Sequence, residues 1–180
     1  MLRTILSYGT LAGVIVGVLM AATIPFLHNT PAEAYGMAIG YATMLIALST
    51  IFVAVKRRRD AQGGIIGFWP AFALGLGISL VAGIFYVIAW EIIQPFLPGD
   101  FIGEFVNGAI AQQKAKGVSG KALADFIAQM AQLRRDYANP LHRLPMTFTE
   151  IAPVGVLVSL VSALLLRNRR FLPARVTTGA

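Results

Sequence analysis

The sequence predicts an all-α membrane protein: a four-helix transmembrane bundle with both termini inside and an amphipathic helical hairpin outside, between helices three and four. Three observations predict it. Ile5–Leu27, Tyr35–Val55 and Ile65–Trp90 hold no Asp, Glu, Lys or Arg, and a fourth apolar run, Ile151–Leu166, is charge-free between Glu150 and Arg167. The basic residues cluster at alternate ends of these runs, and the stretch between the third and fourth carries helical spacing. With 57% apolar and 13% charged residues, the chain has too little polar surface to keep a body of this size in water.

A bilayer core of about 30 Å needs roughly 20 helical residues at about 1.5 Å each. Helix one, 5–27, meets that length. Arg3 ahead of an apolar run, with Ala32-Glu33-Ala34 after it, has the outline of a secretory leader and cleavage site. The run exceeds the leader core of about 7–15 residues, so a retained membrane helix is expected. His28–Ala34 is too short for anything but an antiparallel turn into helix two, 35–55. Lys56–Gly64 reads as a short basic loop closed by Gly63-Gly64. Helix three, 65–90, then runs between aromatic belts at Phe68 and Trp69 and at Phe85, Tyr86 and Trp90. Pro95 and Pro98 stop it. Helix four would be only about 24 Å long over Ile151–Leu166, so it is expected to start near Met146 and to carry Glu150 about one turn inside the core boundary. The whole chain, 1–180, is expected to form one membrane domain.

With the N-terminus placed inside, the inner segments hold Arg3, Lys56, Arg57, Arg58, Arg59, Arg167, Arg169, Arg170 and Arg175 against Asp60 alone. The outer segments hold six bases against seven acids. Lys and Arg near helix ends set orientation, so both termini face the cytoplasm. The runs Lys56–Arg59 and Arg167–Arg170 are read as topology determinants with anionic lipid headgroups as an added partner. Placed so, the net charge of +7 does not point to nucleic acid.

The outer hairpin spans about 100–138. Phe101, Ile102, Phe105, Val106, Ala109 and Ile110 recur at helical spacing up to a stop at Lys116-Gly117. Ser119 is placed to cap a second helix with Leu123, Phe126, Ile127, Met130, Leu133 and Tyr137 on one face, ended by Asn139-Pro140.

In lipid, close approach over small residues supplies much of the helix packing. Each helix has such a stripe: Gly9, Gly13 and Gly17; Ala32, Gly36 and Gly40; Ala71, Gly75, Ser79 and Gly83; Gly155, Ser159 and Ala163. These pack the bundle, and an outward stripe would meet a partner membrane protein or a second copy.

Glu150 is the strongest single functional candidate, because an ionised carboxylate at membrane depth costs several kcal/mol unless it is paired or hydrogen-bonded. His28, Glu33, Glu91, His142 and Arg143 share its expected level, and Arg143 is the simplest salt-bridge partner. A proton- or ligand-binding role, or a metal held by His28, Glu91, His142 and Glu150, are the alternatives, although no pair of these has helical ligand spacing. The chain has no cysteine and no phosphate loop, GxSxG elbow or HExxH pair; Ser79, Ser159 and Ser162 lie within apolar helices, away from both histidines. No cofactor is implied.

The segment Tyr41-Ala-Thr-Met-Leu-Ile-Ala-Leu-Ser49 with its basic sequel, Gly63-Gly64, and Asn139-Pro140-Leu141 leading to Met146-Thr-Phe-Thr-Glu150-Ile-Ala-Pro-Val-Gly155 resemble the bacterial membrane family catalogued as domain of unknown function 4199. The resemblance runs from Leu2 to about Arg170 and includes the hairpin glycines near Gly117–Gly120. It implies a four-helix protein of the bacterial inner membrane with no assigned activity. Lys114, Lys116 and Lys121 make this hairpin less acidic than the resemblance implies. Contact features without a catalytic set point to a non-enzymatic accessory or assembly subunit. A small oligomeric transporter using Glu150 and Glu91, and a membrane enzyme built on the outer carboxylates and histidines, are the alternatives.

Overall fold

Among the described residues, four helices are long and apolar enough to cross a bilayer, and two shorter ones lie between the third and the last of them. The computed structural model describes residues 1–27, 32–97 and 99–173, and their side chains except those of 24–27 and 32–35. The elements are α1 (Leu2–Leu27), α2 (Ala32–Ala61), α3 (Phe68–Ile93) with a 3-10 turn at Gln94–Phe96, α4 (Phe101–Ala115), α5 (Gly120–Ala138) and α6 (Pro140–Leu166). Among the described residues there is no strand, and the protein is an all-α, multi-pass membrane bundle. They fall into two compact units, Met1–Ala89 with Phe148–Ala180, and Trp90–Thr147.

In the first unit α3 is the central helix. Its buried residues are Ala71, Leu74, Gly75, Ile78, Ser79, Ala82, Gly83 and Tyr86, alternating three and one apart, which is one continuous helical face. The glycines of α1 meet α3 in register: a Cβ on Gly9 would stand 2.5 Å from the Val81 Cβ, one on Gly13 would overlap Phe85, and one on Gly17 would lie 3.2 Å from the Ala89 Cβ. Both numbers rise together by four, so α1 and α3 run parallel. Against α6 the order reverses, with Gly75 on Ser159 and Ser79 on Gly155. α6 is therefore antiparallel to α3, and these close approaches fall at small residues on all three helices.

Two members of the small-residue set behave differently. Gly36 and Gly40 have no atom of the described residues within 4 Å of an added Cβ, so α2 does not use them for packing against those residues. The Ala32 side chain lies outside the described residues.

Several helix ends shift by about three residues from the sequence expectation, and two boundaries depart further. The basic segment after Val55 is helical to Ala61, because Lys, Arg and Ala are good helix formers and Lys56 Nζ pairs with Asp60 Oδ2 one turn on at 2.5 Å. Only then do Gly63 and Gly64, at φ +79° and +82°, turn the chain, with the Gly64 N–H donating to the Arg59 carbonyl. At the other boundary α6 begins at Pro140 rather than Met146. Proline lacks the N–H that the first turn would leave unpaired, and the Asn139 carboxamide oxygen accepts from the Leu141 N–H at 3.0 Å. The helix is thus long enough to span without Glu150 at its edge.

Three basic regions meet at one end of the first unit. Thr4 and Tyr8 of α1 line a groove with Arg57 and Arg58 of α2. Arg59 is fully buried: its guanidinium donates to the Phe171 carbonyl at 2.8 Å, to the Leu172 carbonyl, and to Asp60. Arg59 and Lys56 are thus engaged within the fold, while Arg167, Arg169 and Arg170 are exposed. Arg175 lies outside the described residues.

In the second unit α4 and α5 pack as a hairpin. Asp100 caps α4, accepting from the Gly103 N–H at 3.0 Å, and its other oxygen pairs with Arg134 of α5. Gly117, at φ +81°, ends α4 as expected. Ser119 occupies the cap position of α5 but makes no side-chain cap bond. Leu123, Phe126, Met130, Leu133 and Tyr137 are half-buried at helical spacing, whereas Phe101, Phe105 and Ile127 are exposed. Pro98 lies outside the described residues.

Candidate functional site

Two polar centres stand out among the described residues, one in each unit. In the first unit the buried face of α3 ends at Tyr86, and its hydroxyl donates to Glu150 Oε2 of α6 at 2.9 Å. The close packing of Gly83 on Phe148, 2.5 Å from an added Cβ to the ring, brings α6 near enough for that bond. Glu150 is itself exposed at the surface, beside exposed Thr149 and Pro153 on the same side of α6.

In the second unit Arg143, in the first turns of α6, grips Glu91 with two parallel bonds, Nε to Oε1 at 2.7 Å and Nη2 to Oε2 at 2.6 Å. Its Nη1 donates to the Tyr137 carbonyl at 3.2 Å, and the guanidinium lies 5.7 Å from the centre of the Tyr137 ring. Trp90 Nε1 donates to the Tyr137 hydroxyl at 2.6 Å and its ring meets Phe101 edge-on. A two-pronged guanidinium–carboxylate pair at 14% and 28% exposure is well matched in geometry and partly shielded from competing solvent. It neutralises Glu91, which reads as a clamp on this end of α6 rather than as a base.

The structure therefore redistributes the expected cluster. Arg143 and Glu91 come together as an ion pair; the partner of Glu150 is Tyr86 and not Arg143. His142 stands at the surface, its Nδ1 3.5 Å from Asp136. Among the described residues no three His, Cys, Asp or Glu side chains converge as metal ligands would. His28 lies outside the described residues, as does the Glu33 side chain.

Sequence reasoning passed over Tyr86, Tyr137 and Trp90 as partners. Tyr86 and Trp90 read as a membrane-interface belt, yet Tyr86 continues the small-residue face of α3 at Gly83 plus three, the one signal that marks it as inward-facing. Nothing comparable singles out Tyr137, which lies on the apolar face of α5.

The groove at the basic end of the first unit, about 390 Å³, is lined by Thr4, Tyr8, Arg57, Arg58 and Gln62 above Ala54 and Ala61. A second depression on α6, over Thr149, Ala152, Pro153, Val156, Leu157 and Leu160, is almost wholly apolar.

No curated protein and no solved structure is detectably similar to the chain. A family model described as protein of unknown function does match, over residues 7–168, which takes in α1 from Ser7 onward, the other three long apolar helices and the hairpin. On that match the chain belongs to the protein family of unknown function DUF4199.

Proposed function

We propose that this protein is a non-enzymatic accessory or assembly subunit of a membrane protein complex in the bacterial cytoplasmic membrane, with both termini cytoplasmic. The observation that carries the reading is the open small-residue face of α2. Gly9, Gly13, Gly75, Gly83 and Gly155 are packed so tightly that none has room for a methyl group, whereas Gly40 meets no described atom within 4 Å. Around it Met37, Tyr41 and Leu45 are 69%, 49% and 48% exposed. A glycine lets another helix approach closely, and that approach is what favours association in lipid. Exposed Glu150 supports the same reading, since a partner donor beside it would complete the hydrogen bonding of a carboxylate that Tyr86 satisfies at one oxygen.

The meeting of the α1 start, the α2 end and the residues after α6 at one basic end supports the orientation, because positive helix ends stay in the cytoplasm. The hairpin of α4 and α5 then lies outside.

The test is purification of the full chain in mild detergent at native abundance. Stoichiometric foreign subunits that are lost on Gly40→Leu are the expected result. A lone homo-oligomer that is indifferent to Gly40→Leu overturns the reading.

A further inference from the structure

The run Lys56–Arg59 divides into two pairs with different employment. Lys56 is held by Asp60 at 2.5 Å, and Arg59 is buried against Asp60 and the Phe171 and Leu172 carbonyls. No hydrogen bond or ion pair among the described residues engages the side chain of Arg57 or Arg58, and both line the groove that Thr4, Tyr8 and Gln62 complete. Two unneutralised guanidiniums lining one groove repel each other, and they become favourable together when an anion with several acceptor oxygens occupies it.

We propose that this groove binds the phosphate of an anionic glycerophospholipid, with Arg57 and Arg58 pairing its oxygens and the Thr4 and Tyr8 hydroxyls and the Gln62 amide hydrogen-bonding to the headgroup. The anion chemistry alone would suit a free phosphate, but the groove's position selects a lipid. Thr4 and Tyr8 lie in the first turns of the span Leu2–Thr23, and Arg57 and Arg58 in the last turns of Gly36–Ala61, which is headgroup depth. One turn further into each span, apolar side chains continue the same helix faces outward. Leu11 follows Tyr8 and is 48% exposed, and Val53 precedes Arg57 and is 44% exposed. Such a track is what acyl chains descending from the headgroup would cover, and a soluble phosphate has no use for it. The inference stands apart from the accessory-subunit reading, since it needs no protein partner.

The experiment is native mass spectrometry of the full chain in a neutral detergent with phosphatidylglycerol or phosphatidylcholine added. The wild type is expected to retain one phosphatidylglycerol in preference to phosphatidylcholine. R57Q/R58Q should lower that retention about tenfold or more, as two headgroup-level bases are removed. R169Q/R170Q removes the same charge from exposed sites in the other inner cluster and should change it less than about twofold, the effect of charge outside a specific site being diffuse. Equal loss in both variants means unspecific attraction and overturns the site. Unchanged retention in R57Q/R58Q overturns it as well. Displacement of the lipid by millimolar glycerol 3-phosphate shows a free-phosphate site and overturns the lipid assignment. A phosphatidylglycerol with a photoreactive headgroup tests the wild type without a variant. Crosslinks should fall on the peptides carrying Tyr8 and Gln62, and crosslinks confined to Arg167–Arg170 refute the proposal.

Discussion

Tyr86 of α3 donates its hydroxyl hydrogen to Glu150 of α6 across 2.9 Å, a side-chain hydrogen bond between two spanning helices. It lies at the end of a face otherwise closed by contacts of Gly75, Ser79 and Gly83 with Ser159, Gly155 and Phe148. Small residues set how close the helices come, and the polar pair adds a directional preference that apolar contact lacks.

That arrangement makes the bond measurable by a double-mutant cycle on unfolding in detergent. Tyr86→Phe removes the donor and keeps the ring, and should cost about 0.5–1.5 kcal/mol. Glu150→Gln keeps an acceptor oxygen and should cost less than Glu150→Ala. In the Glu150→Ala background, Tyr86→Phe should cost close to nothing, because its acceptor has gone. Equal cost of Tyr86→Phe in both backgrounds would show that the hydroxyl serves another neighbour.

The glycines separate into two classes with opposite expected responses. At Gly13 a methyl group runs into Phe85, so Gly13→Ala should destabilise the folded protein by about 1–3 kcal/mol even though alanine favours helix. At Gly40 the methyl group enters open space, and Gly40→Ala should be neutral or stabilising by up to about 1 kcal/mol. Midpoints of thermal unfolding in the same detergent decide between these signs. A stabilising Gly13→Ala would mean that α1 and α3 are not in this register.

The four long helices were legible in the sequence because their cause is local: an unbroken apolar run can be satisfied in lipid only as a helix. That Gly75, Ser79 and Gly83 share one face of α3 was legible for a similar reason, since spacing four places them there. The end of α2 was not. Four consecutive bases read as a loop, and only the Lys56–Asp60 pair and the buried Arg59, which need the folded C-terminal residues near Phe171, reveal a helix continuing to Ala61. The partner of Arg143 was hidden for the same reason. Starting α6 at Pro140 instead of Met146 moves Arg143 from a loop into a helix, and its carboxylate, Glu91, is fixed by the fold alone.

Arg59 is the buried charge of the basic end, and its bonds tie the chain after α6 to α2. Leu172 adopts φ +47°, a left-handed conformation that a leucine reaches at a cost of about 1 kcal/mol, and its carbonyl accepts from Arg59 in that conformation. Arg59→Gln should therefore release the segment and expose it to protease, with a loss of about 2–3 kcal/mol in unfolding free energy. Arg169→Gln, at an exposed position, should leave both unchanged. Protection of the C-terminal segment in Arg59→Gln would show that Phe171 against Phe52, ring centres 6.3 Å apart, holds it without the arginine.

The Glu91–Arg143 clamp predicts an asymmetry between two conservative changes. Arg143→Lys keeps the charge but offers a single point donor, so it loses one of the two parallel bonds and the contact with the Tyr137 carbonyl. Glu91→Gln keeps the shape but leaves a guanidinium, 14% exposed, without its counter-charge. The second change should be the more damaging, by about 1–2 kcal/mol, because an unpaired shielded charge costs more than a weakened pair. Hydrogen exchange at the amides of α5 and the first turns of α6 reads this directly, since both elements carry groups that Arg143 holds. Faster exchange in Glu91→Gln than in Arg143→Lys is expected. The reverse order would place the stabilisation in the stacking of the guanidinium on Tyr137 instead of in the ion pair.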